Sequence, residues 1–439
     1  MLKKIKKNDN FLSLAGNLIF SFLGFLNIFL IARSFSSDDY GIWILYLTSM
    51  SFAEMIRMGI LQTPMVKFLS SSKKENKNEI IGSSWILGLF ITLLFSIVIY
   101  TIYFFFYEEV KSSNFDLFFK FYPILSFLTL PSNTALFILQ SNGKFDKIIF
   151  LRFFSKGFFS ILLIINYFYL DLNVENIVMA HLFFAFLTSL ISILKSWSGI
   201  NLILKYKIKK IKELMNFGKF SLGTLMGSNL LKSSDTFLIG IMMTKGDVAF
   251  YSIPLKLIEV LEIPIRSFVA VALPKMSKAT NSINKEKVKE IFYNYTGILS
   301  ILIIPILAIL FFSGEYLIYI LGGEKYINSV NIFYIFLIYG LFLPLDRFLG
   351  VTLDSINLPQ LNLYKTIFMA IINIIGDFIA IYFFKSLHAV AIVTIINVLI
   401  GIYFGVFFLK KEIGIEFFKI FFNGKNLVKE NLMNLKKFI

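Results

Sequence analysis

The sequence predicts an all-α integral membrane protein with about twelve transmembrane helices grouped as two lobes of six. Three observations predict it. Hydrophobic residues make up 57% of the 439 positions and the mean hydropathy is +0.76, far above the apolar share of a soluble domain. Lysine and arginine gather in alternate loops between apolar runs. The two halves of the chain also resemble each other when one is slid along the other.

A helix needs about 20 apolar residues to cross about 30 Å of hydrocarbon at 1.5 Å per residue. In the first half such runs cover Phe11–Arg33, Gly41–Gln62, Ile81–Tyr107, Leu117–Gln140, Ile148–Leu170 and Ile177–Trp197. In the second they cover Phe217–Met243, Ala249–Leu273, Ile291–Ser313, Asn328–Gly350, Leu361–Phe384 and Ala389–Leu409. These runs divide the chain into an N-terminal lobe at 1–197, a basic linker at 198–215, a C-terminal lobe at 216–409 and a basic tail at 410–439. The first run follows Lys3, Lys4, Lys6 and Lys7 but is longer than a signal-peptide core and lacks a convincing cleavage site, so it reads as a retained span.

Loop charge orients the spans. One set of connections holds Lys73, Lys74 and Lys77; Lys144 and Lys147; Lys205 through Lys212; and Lys275 through Lys289, and both termini belong with it. The alternate set holds Asp38, Asp39, Glu108, Glu109, Asp171, Glu175, Asp247, Glu315 and Glu324. Roughly 27 cations against roughly five place the first set, with both termini, in the cytoplasm. The net charge of +16 is thereby accounted for by topology, and dispersal of the cations among short loops argues against a nucleic-acid partner.

Cysteine is absent, which excludes disulfides, thiol nucleophiles and cysteine metal sites. His181 and His388 are far apart, and no phosphate-cradling glycine loop or His/Glu metal motif is present. The sequence therefore predicts no cofactor and no metal.

Sliding the chain by 208 positions sets Ile28–Ala32 on Thr236–Gly240, Asp39–Trp43 on Asp247–Tyr251, Asn27 on Asp235 and Glu54 on Glu262. Six spans is an even number, so two such halves enter the membrane with the same orientation, related by a pseudo-two-fold along its normal.

Polar residues recur on particular helical faces. Span one carries Ser13, Asn17, Ser21, Gly24 and Asn27 at steps of three or four, and span seven carries Ser221, Thr224, Ser228, Lys232 and Asp235. Such stripes either line a water-filled cleft or pack helices closely through small residues. Lys232 and Asp235 favour the cleft, because charges within spans face polar pathways or each other. Span eight adds Lys256, Glu259, Glu262 and Arg266, spaced for two ion pairs, and span two adds Glu54 and Arg57, three apart. For these the alternative is a purely structural pair. Asp346, Arg347, Asp377, Arg152 and Lys156 complete the intramembrane charges, Arg152 and Arg347 near enough to the cytoplasmic edge to snorkel. Prolines at 123, 131, 254, 264, 305 and 344 mark bends within spans.

The chain resembles the polysaccharide flippases of the multidrug/oligosaccharidyl-lipid/polysaccharide (MOP) exporter superfamily. The segments that carry the resemblance are Ala32–Trp43 after span one, Gln140–Phe145 after span four, Asp235–Gly240 with Tyr251, Leu273-Pro274, and Leu321–Tyr326 before span ten. The resemblance implies a MATE-like fold around a central cationic cavity in a bacterial cell membrane. It also implies export of an undecaprenyl-pyrophosphate-linked oligosaccharide by alternating access, with coupling to a proton or sodium gradient and other polysaccharide assembly proteins as candidate partners. Related flippases carry cavity arginines on the first two spans, where this chain has Asn17, Asn27 and Arg57.

The substrate set expected on this reading is Lys232, Arg57, Lys256, Arg266, Asn17, Asn27 and Ser228. The ion-coupling or ion-pair set is Asp235, Glu259, Glu262, Glu54 and Asp377. A cation-coupled drug exporter of the same superfamily is the rival, sustained by those acids. A membrane glycosyltransferase or polymerase is a second rival, disfavoured by the short outer connection near Gly314–Ile327.

Overall fold

The computed structural model describes residues 9–71, 74–282, 284–417 and 419–420. Within helices, the side chains of residues 9–18, 71, 74, 75, 220, 221, 224, 228, 270 and 281 are outside the description. The expected polar positions Asn17 and Ser228, and most of the basic tail, therefore lie outside the described side chains.

The described chain is helical throughout. The N-terminal spans are α1 (Asp9–Ser34), α2 (Ser37–Ser71), α3 (Lys74–Phe105), α5 (Asp116–Ser141), α6 (Phe145–Tyr169) and α7 (Val174–Leu194), with the short α4 (Tyr107–Ser112) between the third and fourth. A 3-10 turn at Ile200–Lys205 leads to α8 (Ile208–Met242). Then come α9 (Lys245–Glu259), α10 (Glu262–Asn281), α11 (Lys285–Phe312), the short α12 (Gly314–Gly322), α13 (Val330–Ser355), α14 (Pro359–Phe384) and α15 (Leu387–Ile413). Nine helices among the described residues are long and apolar enough to cross a membrane. The remaining three expected spans coincide with α1, α8 and the α9–α10 pair, which carry the polar stripes and charges.

Span eight differs from expectation: the run Ala249–Leu273 is broken between Glu259 and Glu262. Pro264 is the physical cause, because its ring clashes with the carbonyl four residues back, at Val260, and supplies no N–H. Short i→i+3 bonds, Val260 N to Leu257 O and Leu261 N to Ile258 O, bridge the break.

The chain forms two compact units, Met1–Asn229 and Leu230–Ile439, and the division falls inside α8 rather than in the linker. The first half of α8 packs close against α2, since a Cβ at Gly218 would lie 2.7 Å from the Ile60 carbonyl and one at Gly59 would lie 2.8 Å from Leu222. The second half carries Asp235 into the polar interior of the second unit.

Each unit is built on one plan. The fourth span is the hub of both: α5 packs on α2, α3 and α7, and α13 packs on α9, α10, α11 and α15. The plan recurs in detail at the 208-residue offset. At the start of α2, Ser36 Oγ accepts from Asp39 N at 3.1 Å and donates to Asp39 Oδ2 at 2.7 Å. At the start of α9, Thr244 Oγ1 accepts from Asp247 N at 3.2 Å and donates to Asp247 Oδ2 at 2.7 Å. The Asp39 and Asp247 segments are thus helix N-caps, each satisfying amide donors that the first turn cannot pair internally.

Large aromatics stand exposed at both sets of helix ends: Phe104 to Phe106, Phe168 and Tyr169, Phe312, and Phe383 and Phe384 opposite the lysine-bearing connections, and Tyr206, Tyr364 and Phe407 beside them. Exposed rings at both ends of long apolar helices fit a multi-pass membrane protein.

The linker is docked rather than free. Trp85 Nε1 donates to Ser198 O at 2.9 Å, and Ser83 Oγ both accepts from Lys207 N at 3.0 Å and donates to Lys207 O at 3.2 Å. Gly82 makes this docking possible: a Cβ there would stand 2.4 Å from the Leu202 carbonyl oxygen and 2.9 Å from Tyr206 N. Both obstacles are backbone and cannot rotate away. Gly82→Ala is expected to cost about 1–3 kcal/mol of stability through overpacking, read as a lower melting temperature of the detergent-solubilised protein. An unchanged melting temperature would show that the linker yields without loss.

Candidate functional site

The polar interior of the second unit is assembled from four helices. Asp235 on α8, Asn373 and Asp377 on α14, Thr394 and Asn397 on α15 and Tyr251 on α9 converge there, with Asp377 fully buried and Asp235 only 6% exposed. Asn373 is the hinge pin of the network. Its Nδ2 donates to Asp235 Oδ1 at 2.5 Å, to Asp377 Oδ2 at 2.8 Å and to Ser234 Oγ at 3.0 Å, and its Oδ1 accepts from Asn397 Nδ2 at 2.8 Å. Asp235 Oδ2 accepts from the Tyr251 hydroxyl and from Thr394 Oγ1, the latter at 3.2 Å.

Two features set this cluster apart from an ordinary buried network. No lysine or arginine pairs with either carboxylate among the described residues, although both acids hang on one amide group. Asp377 Oδ1 and Asn397 Oδ1 are buried without a hydrogen-bond partner among the described residues. Two like charges bridged by a neutral amide in an apolar surround are unstable unless a proton or a cation joins them. The donors on offer are all hard oxygens: two carboxylates, a hydroxyl and an amide carbonyl. That set suits a proton or a monovalent cation such as sodium. The described residues contain no group of three or more His, Cys, Asp or Glu able to hold a metal ion.

A second cluster in this unit surrounds the break in span eight. Glu262 at the start of α10 receives both Arg266 of its own helix and Lys232 of α8, whose Nζ is 3.4 Å away. Lys256 pairs with Glu259 at 2.8 Å. Lys232 and Arg266 are more than half exposed, so one carboxylate anchors two accessible cations and leaves net positive charge. Exposed pairs of this kind contribute little to stability, about 0–1 kcal/mol, and are easily exchanged for another anion.

In the first unit, Arg57 and Glu54 of α2 form a pair of a different character. Arg57 is 3% exposed. It donates to Glu54 Oε2 at 2.5 Å, Thr129 Oγ1 at 2.6 Å, Thr92 Oγ1 at 3.3 Å and the Ser126 carbonyl. Glu54 in turn accepts from Tyr122 and Asn133, at 3.2 and 3.3 Å. The geometry commits Arg57 to α3 and α5 rather than offering it to a cavity. Asn27 of α1 is also engaged, accepting from Ser160 Oγ of α6 at 2.5 Å.

The structure thus brings Asp235 and Asp377 together, and separately Lys232, Glu262 and Arg266, while Lys256 and Glu259 form their own exposed pair. Asn373, Asn397, Thr394 and Tyr251 were not among the expected site residues. The available signal was their spacing: Asn373 and Asp377 stand four apart, and Thr394 and Asn397 three apart, inside otherwise apolar runs.

A family model described as polysaccharide biosynthesis protein matches residues 30–331, more than half of the chain. A probable low-salt glycan biosynthesis flippase of Haloferax volcanii is 22% identical over 228 residues, 48% of this chain and 45% of that protein. The match therefore spans just under half of that relative's length. Among solved structures, an inward-facing multidrug resistance MATE family transporter of the MOP superfamily aligns with TM-score 0.74 at 13% identity, over 89% of this chain and 95% of its own. The lipid II flippase MurJ in an inward closed conformation aligns with TM-score 0.73 at 17% identity, over 97% and 92%. At these identities the two structures establish the fold.

Proposed function

Because this chain belongs to the polysaccharide biosynthesis protein family, within the MOP superfamily of exporters, we propose that it is a flippase for undecaprenyl-diphosphate-linked oligosaccharides. It moves them from the inner to the outer leaflet of a bacterial cell membrane by alternating access, with both termini in the cytoplasm. A proton or sodium gradient drives the cycle. The observation that carries this reading is the buried Asp235–Asp377 pair, which no lysine or arginine neutralises among the described residues. Intramembrane acids of that kind are costly and are retained where an ion must bind and leave. Binding of the cation at the pair offsets the repulsion between the acids, so it biases the conformation in which the pair is closed, and release biases the other.

The lipid tail stays in the membrane while the diphosphate and sugars need a polar path. Lys232 and Arg266 are accessible cations that suit the diphosphate, and Glu262 holds them in place until an anion competes for them. The test is translocation of a labelled lipid-linked oligosaccharide in proteoliposomes under an imposed sodium or proton gradient. Transport no faster than in protein-free liposomes, across donors and gradients, would count decisively against the reading. In the same assay Lys232→Ala is expected to lower transport roughly tenfold, the loss of one charge-assisted contact, at unchanged melting temperature. Full activity in that variant would remove Lys232 from the substrate path.

A further inference from the structure

The spans that carry the acids of the second unit have counterparts in the first, α1 and α6, and cations stand there. In the second unit α8 and α14 are joined by Asp235 and Asn373; in the first, the equivalent spans α1 and α6 are joined by Asn27 and Ser160. The sixth span contributes Thr394 in one and His181 in the other, where His181 Nδ1 lies 3.2 Å from the Tyr46 hydroxyl. Asp377 stands one turn after Asn373 on α14, whereas Arg152 and Lys156 on α6 are cations and lie on the other side of Ser160. One turn before Ser160, the Lys156 ammonium sits 3.8 Å from the centroid of the Phe20 ring of α1, and a further turn back the Arg152 guanidinium carbon is 5.1 Å from the same centroid.

No described carboxylate lies within ion-pair distance of Lys156, and no described group accepts a hydrogen bond from its ammonium. Glu54, the acid within span two of this unit, is committed to Arg57. Depth makes the arrangement costly. Lys156 stands eleven residues into the 25-residue α6 from its lysine-bearing end at Phe145, about 17 Å along an axis of about 37 Å and close to the helix midpoint. A lysine side chain there does not reach water by snorkelling along its own helix, and an ammonium at the bilayer centre is retained for a partner. The aromatic face is a weak, non-competing cradle that orients the charge without neutralising it.

We propose that Arg152 and Lys156, backed by Phe20, form a phosphoryl-anion site in the first unit that receives the diphosphate of the lipid-linked substrate. This rests on the flippase reading above. A diphosphate carries more than one negative charge and is suited by a guanidinium that binds two oxygens at once beside a point-charge ammonium. An uncharged sugar gains little from such a pair, and a cationic drug is repelled by it. The first unit then supplies a second cationic station for the headgroup, in addition to Lys232 and Arg266 of the second unit, which also carries the acids for the coupling cation.

The test is binding of radiolabelled undecaprenyl diphosphate to the full chain in phosphatidylcholine nanodiscs, for the wild type, Lys156→Gln, Lys156→Arg and Arg152→Gln. Lys156→Gln is expected to weaken binding roughly tenfold to a hundredfold, Lys156→Arg to restore most of it, and Arg152→Gln to weaken it independently. Melting temperatures of the same samples identify any variant that has merely lost its fold, and the arginine replacement then decides. If the wild type binds and a folded Lys156→Gln binds equally well, the site is overturned while the flippase reading stands. If the wild type binds no lipid diphosphate, the substrate reading itself falls, and this site with it. Displacement of the probe by phosphatidylglycerol at equal mole fraction would reassign the cations to ordinary anionic lipid and overturn the proposal.

Discussion

Asp377→Asn is expected to reduce gradient-driven export by about a hundredfold or more, equivalent to about 2.7 kcal/mol on the rate-limiting barrier, while the melting temperature holds or rises. Asparagine keeps the shape, and its side-chain oxygen can still accept the 2.8 Å bond that Asn373 donates to Asp377. What it removes is one of two like charges bridged by a single amide, a change that relieves repulsion in the folded state. A structural residue would show the opposite signature, lost stability with little change in coupling. Ligand linkage supplies a second readout. A cation that binds the pair should stabilise the wild type by about 2.7 kcal/mol at a hundred times its dissociation constant, and the variant should lose that stabilisation. Sodium titration at constant ionic strength therefore separates a sodium site from a proton site, since only the former gives a sodium-dependent melt. Wild-type flux with intact gradient dependence in Asp377→Asn would sink the assignment.

The parts of this molecule that were legible in the sequence are those governed by periodicity and local chemistry. Hydrophobic run length located the spans, and the aspartates of the repeated Asp39 and Asp247 segments prove to be the third-residue partners of the Ser36 and Thr244 caps that begin corresponding helices. The break in span eight was signalled only by Pro264 among several prolines, and a proline bends one helix and breaks another according to what packs against it. The candidate site was half legible. Asp235 and Asp377 stand out as charges in apolar runs, but they are 142 positions apart, and nothing local announces that Asn373 holds them together. Single asparagines are tolerated in membrane helices, so Asn373 and Asn397 gave no contrast until their partners were in place. Lys156 illustrates the converse. Its charge was evident, whereas the lack of an acid opposite it among the described residues is a property of the packed helices.

Arg57 marks the limit most sharply, and it makes the second strong prediction. Read along the chain it is a cation three residues from Glu54 and a natural candidate for a phosphate. In the fold its two terminal nitrogens are spent on Glu54, Thr92, Thr129 and the Ser126 carbonyl, contributed by three helices, with 4% of the side chain exposed and Nε buried without a partner among the described residues. Arg57→Ala would leave Glu54 partly buried with only Tyr122 and Asn133 as donors, a loss of about 3–5 kcal/mol by the general behaviour of broken buried pairs. The expected result is a strongly lowered melting temperature and poor recovery of folded protein. Combining it with Glu54→Gln should recover a large part of that loss, because the stranded charge is the main cost and a double-mutant cycle isolates it. A diphosphate could recruit Arg57 only by taking it from acceptors on α3 and α5, which hold the first unit together. A variant that melts normally yet no longer exports would reverse this argument and return Arg57 to the substrate path; a variant that melts early, and whose folded fraction still binds the diphosphate probe, would confine it to the scaffold.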